Sequence, residues 1–89
     1  MDIEEIYIEL FNGQEKAISV QTKTKGVFEG RLEEYASHPP TKIRVYYILP
    51  GGSTSARGDI KDLIKQYGEQ GMLDSIEINV LEIESVKRI

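Results

Sequence analysis

Eighty-nine residues, 39% of them apolar and 29% charged, allow one domain with a thin core, a composition that favours completing the core by association with further copies. Cysteine is absent, which excludes disulfides, thiolate-bound metals and a cysteine nucleophile. The net charge of −4 argues against a general nucleic-acid coat, and no run approaches the roughly 20 apolar residues that span a bilayer.

The opening "MDIEEIYIEL" is acidic and lacks the basic lead and long apolar run of a signal peptide, so a soluble, cytoplasmic protein is expected. Ile3, Ile6, Tyr7, Leu10 and Phe11 recur at helical spacing with glutamates opposite, which predicts an amphipathic helix over about 2–12. Asp2 suits its N-cap and Asn12-Gly13 its end. A strand through Ile6, Ile8 and Leu10 is the alternative.

From Ala17 the pattern becomes alternating. Ile18, Val20 and Thr22 share a face in a strand over about 17–24, and "TKTKG" turns the chain. Phe28, Gly30 and Leu32 share a face in the next strand, about 27–35, until "ASHPP" ends it. A third strand, about 41–49, sets Ile43, Val45, Tyr47 and Leu49 against Lys42, Arg44, Tyr46 and Ile48. "PGGSTSARGD" is a loop by composition, and Asp59 caps a helix predicted over about 60–68. The last segment slips phase at "LEI", which predicts two strands, about 75–81 and 83–88, joined by one tight turn.

Gly30 is the odd residue in this pattern. Five short antiparallel strands have exposed edges and little core unless they curl, and a glycine inside the second strand permits a sharp bend. The fold class expected is mainly β: a small, strongly bent five-stranded antiparallel barrel with an N-terminal helix and a helix inserted between strands 3 and 4. A ubiquitin-like β-grasp built around the 60–68 helix is the other arrangement these elements allow.

Val20, the turn after it, and then Phe28, Gly30, Leu32 and Tyr35 fall in step with the first motif of the Sm-like family (Sm, archaeal Sm-like and bacterial Hfq proteins), which this sequence resembles. The leading helix, a variable connection filled by residues 50–74, and the short link in "EINVLEIESV" also resemble that family. The resemblance implies homo-oligomeric rings, in which the fifth strand of one subunit pairs with the fourth strand of its neighbour, and it implies RNA binding. Two departures concern the base pocket. An Asp and an Asn that clasp a base in uridine-binding members correspond here to Ala36 and Pro40, and "INVLEI" lacks the Arg-Gly pair of the second motif, although Asn79 is nearby.

Charge is unevenly spread. Residues 1–15 hold five acids and no base, whereas residues 16–49 hold six bases against three acids. Lys23, Lys25, Arg31, Lys42 and Arg44, interleaved with Tyr35, Tyr46 and Tyr47, supply phosphate-binding cations and stacking faces. Lys23, Lys25, Arg31, Lys42, Arg44 and Tyr46 are therefore the candidate contacts for RNA or single-stranded DNA. The opposing reading is a solvated face offset by Glu29, Glu33 and Glu34.

The remaining motifs carry less. His38, the only histidine, cannot form a zinc site alone and reads as a loop residue, although a ring would gather several copies. "GGSTSARGD" lacks the Gly-Lys-Ser/Thr of a phosphate loop and places Asp59 where the phosphate would lie, and its "RGD" serves as a capping turn. No carboxylate pair or serine constellation suggests catalysis, and no cofactor or metal is expected. The sequence thus predicts a nucleic-acid-binding ring subunit without enzymatic activity. A protein-interaction or scaffold subunit that docks through its helices is the alternative.

Overall fold

A computed structural model describes residues 1–48 and 60–89. The expectations placed on Leu49, the 50–59 loop and the Asp59 cap lie outside the described residues. Helix α1 spans Ile3–Gly13, and five strands follow: β1 Ala17–Thr22, β2 Val27–Leu32, β3 Lys42–Ile48, β4 Leu73–Asn79 and β5 Ile83–Arg88. Between β3 and β4, the helix α2 (Ile60–Leu63) continues as a single π-type turn, Ile64–Gly68, so the inserted helix is short.

The strands form one antiparallel sheet in the order β4-β3-β2-β1-β5. This is the expected meander with β5 added beside β1, and not a β-grasp. The sheet does not close into the expected barrel: among the described residues β4 pairs only with β3 and β5 only with β1, so no described strand pairs with either outer edge. It is nevertheless curled. In a flat sheet four inter-strand spacings would separate β4 from β5 by ~19 Å. The chain crosses between them through a three-residue 3-10 turn, Val80–Glu82, which advances only about 6 Å. The ends of the two edges that the link joins therefore lie close together.

Gly30 sits where β2 runs against the backbone of β3. Its φ is not positive, so conformational freedom is not the reason for the glycine. The reason is close approach: a Cβ at residue 30 would fall on the carbonyl oxygen of Tyr46 and within 2.9 Å of Val45 Cγ1. Correspondingly, β2 pairs with β1 from Val27 to Arg31 but meets β3 in register only at Arg31 and Leu32.

The concave side holds the core. Leu10, Ile18, Val20, Leu32 and Val45 are fully buried, joined by Ile6, Ile43, Ile78, Val80, Ile83 and Val86. Each such side chain contributes about 1.5–3 kcal/mol by leaving water. From α1, only Ile6, Leu10 and Gly13 are buried, and Arg88 pairs with Glu9 at 3.4 Å to tie the helix to β5. Ile48 and Leu63 are buried apart from this cluster.

Boundaries shift for local reasons. Strand β1 ends at Thr22 because its hydroxyl donates to the Gly26 carbonyl (2.7 Å) and accepts from the Lys25 N–H (2.9 Å), and Gly26 takes φ +86°. Strand β2 ends at Leu32 rather than Tyr35, where the Tyr35 N–H turns to Gln14 Oε1 at 3.2 Å. The phase slip before β5 has two causes. One is the 3-10 turn, capped by Asn79 Oδ1, and the other is a bulge, since Gln21 pairs with Ser85 but Thr22 with Ile83. Glu84 is the extra residue, which lets Ile83 and Val86 both face inward three positions apart.

Candidate functional site

Alternation along β3 buries Ile43 and Val45 and turns Lys42, Arg44 and Tyr46 to the convex face. The β3–β4 register then sets Asn79, Glu77 and Ser75 opposite those three residues. Glu77 takes both cations: Oε1 lies 3.5 Å from Lys42 Nζ and Oε2 lies 3.1 Å from Arg44 Nη2. Arg44 Nη1 also donates to Ser75 Oγ at 2.9 Å. One carboxylate between two cations leaves a residual charge of one, held on a solvated surface where such pairs contribute little to stability.

Tyr46 completes this face. Its hydroxyl donates to Glu33 Oε1 at 3.5 Å, and desolvation first, then the Glu33 charge, raises its pKa above the ordinary tyrosine value of 10.0. Tyr47 is shifted the same way by desolvation and by Asp74, which accepts from its hydroxyl at 3.3 Å. Arg31 stands opposite Tyr46 on β2, and its Nη1 reaches the Glu15 carbonyl at 3.3 Å.

Lys23 and Lys25 lie in the β1–β2 turn, and the 3-10 corner draws Lys23 towards the β3 end. The Lys23 N–H donates to the Glu82 carbonyl (2.9 Å), and the Val80 N–H donates to the Thr41 carbonyl (3.0 Å). Lys23 and Lys42 therefore flank one corner from opposite sides. Among the predicted contacts, Lys42, Arg44 and Tyr46 share a face, with Arg31 beside it. Lys25 remains at the turn, exposed.

The sequence reading missed Glu77. It weighed only acids near in the chain, whereas the compensating carboxylate comes from β4 and becomes visible only once the Arg44–Glu77 register is known. Asn79 is likewise committed, because its side-chain oxygen accepts from the Leu81 N–H at 3.0 Å.

A second grouping lies at the far end of α1. The ring of His38 stacks on Tyr35 at 6.0 Å with an 11° interplanar angle, and meets Phe11 at 5.1 Å and 58°. Beside them opens a cavity of about 320 Å³ lined by Tyr7, Ile8, Phe11, Asn12 and His38. The Tyr35 hydroxyl is shielded from solvent without a hydrogen-bond partner, and burial raises its pKa. His38 is exposed, as a loop residue should be, but it is held between two aromatic rings. Its proximity to Phe11, twenty-seven positions earlier, had no signal in the sequence.

Among the described residues, no three histidine or acidic side chains gather into a metal-binding group, and no helix is long and apolar enough to cross a membrane. Compared with known protein families, curated proteins and solved structures, the chain matches none.

Proposed function

We propose that the protein is a ring-forming subunit of the Sm-like kind that binds single-stranded nucleic acid. The observation that carries this reading is the pair of sheet edges, β4 and β5, with which no other described strand pairs and which a three-residue turn links. Unpaired edges expose backbone donors and acceptors, and pairing β5 of one copy with β4 of the next satisfies them while enlarging a thin core. A ring built this way repeats the corner flanked by Lys23 and Lys42 once per subunit, so that modest charge on each copy sums around an axis. Tyr46, on the same face as Lys42 and Arg44, offers a stacking surface.

The reading is tested by light scattering coupled to size exclusion, with and without nuclease, followed by filter binding of single-stranded RNA at several salt concentrations. Assembly well above the 10.1 kDa subunit mass and salt-sensitive retention are expected. Replacing Lys42 and Arg44 together should weaken retention and flatten its salt slope. A monomer at all concentrations, without retention, overturns the reading.

One observation favours a second reading, a scaffold subunit that assembles but engages proteins: Glu77 already holds both Lys42 and Arg44. Absorbance of the freshly purified protein separates the two. With five tyrosines and no tryptophan, a small amount of retained nucleic acid dominates the spectrum. Assembly without such a signal, and without RNA retention, selects the scaffold.

A further inference from the structure

Helix α1 carries more apolar surface than the fold uses. Ile6 and Leu10 dock on the sheet, whereas Ile8 and Phe11 remain 58% and 56% exposed. Ile8 projects from the side opposite the buried stripe, where an amphipathic helix ordinarily places polar residues. Together with Tyr7, Asn12 and His38, these two line the 320 Å³ cavity, large enough for one aliphatic or aromatic side chain. The Tyr35–His38–Phe11 stack fixes one wall.

The charge around the cavity narrows what can enter. Glu4 and Glu5, both exposed, stand four and three positions before Ile8, one helical turn along the same face. Glu34, also exposed, is adjacent to Tyr35 on the facing loop. Among the described residues, no lysine or arginine lines the cavity. Among the described cations near α1 in the fold, Arg88 is paired with Glu9 and Arg31 reaches the Glu15 carbonyl, while Lys16 lies beyond the helix end. Such a rim repels phosphate and attracts ammonium and guanidinium groups.

We propose that this cavity is a docking site for a basic segment of another protein, which inserts one apolar side chain between α1 and the 33–41 loop while its flanking lysines or arginines face Glu4, Glu5 and Glu34. No residue of β4 or β5 lines the cavity, so the proposal does not depend on which reading of the assembly holds.

The full chain has no tryptophan, so the fluorescence of a probe reports only on the probe. The probe is a short synthetic helix of leucine and lysine with one central tryptophan. Its counterpart replaces every lysine by glutamate, and a third peptide keeps the lysines but replaces the tryptophan and leucines by serine and carries a dye. A blue-shifted, saturable signal with the first peptide alone is expected, weakened about tenfold by Phe11→Ser and by the pair Glu4→Gln and Glu5→Gln. Both changes fall on exposed side chains, and unchanged circular dichroism melts confirm that folding is retained. Equal binding of the glutamate peptide, equal binding of the serine peptide, or binding indifferent to Phe11→Ser overturns the proposal. Loss of single-stranded RNA binding on Phe11→Ser, with peptide binding unaffected, overturns it too and assigns the cavity to nucleobases.

Discussion

Gly30 lies under the backbone of Tyr46: the carbonyl carbon of Tyr46 is 2.9 Å from where a Cβ on residue 30 would stand, and its oxygen is closer still. Backbone cannot swing aside as a flexible side chain does. Gly30→Ala should therefore force β2 and β3 apart and destabilise the fold by about 1–3 kcal/mol. Urea unfolding followed by circular dichroism measures this. An unchanged midpoint would mean that the two strands separate without cost.

Glu77 decides how much positive charge the convex face shows. Glu77→Gln releases Lys42 and Arg44 and alters stability by only ~0–1 kcal/mol, since the pairs are solvated. RNA retention should rise in the variant, with a steeper salt dependence. Retention that is absent in both proteins would remove this face from consideration as the binding surface.

Three tyrosines give an alkaline signature. Tyr35, Tyr46 and Tyr47 all have folded-state pKa values raised above 10.0, with desolvation as the leading cause in each. The unfolded chain thus releases these protons more readily than the folded one. Their contribution to stability is complete below pH 10.0 and is lost as pH rises through the folded-state values. Ultraviolet titration should show late phenolate formation that coincides with falling stability. Glu33→Gln should move Tyr46 only part of the way back, because its desolvation remains.

Asp2 acts at the other end of the scale. The Glu5 N–H donates to its carboxylate at 2.9 Å and lowers its pKa below 3.8. The stabilisation is present above the unfolded-state value and is lost as pH falls through the folded one. Asp2→Ala should lower the melting temperature at neutral pH and leave it nearly unchanged in strong acid, where the wild-type cap is already protonated. An equal loss at both pH values would show that the cap acts through something other than its charge.

Much of the fold was legible because it rests on local chemistry. Alternation through Ile18, Val20 and Thr22, the Thr22–Gly26 turn, the Asp2 cap and the break before Ile83 are all written within a few residues of where they act. What failed depended on distance. Closure of the barrel is a relation between β4 and β5, and no residue in either strand states whether their edges meet. Glu77 reaches Lys42 and Arg44 only through a cross-strand register that skips the intervening segment. The Phe11–His38 contact requires knowing where α1 lies on the sheet, which Ile6 and Leu10 determine jointly with the whole core. Even Gly30, expected as the bend that closes a barrel, owes its glycine to the neighbouring strand's carbonyl and not to a positive torsion angle.

The Val80–Glu82 link has one more effect. Because it joins the sheet's two borders covalently, the angle between them is a property of the single chain and not of any encounter. A second molecule that added to one border would inherit a set rotation from the first, and a third from the second. Growth of that kind turns back on itself or winds into a spiral. It does not extend as a flat ribbon, so the geometry of the single chain selects between a closed ring and a helical array.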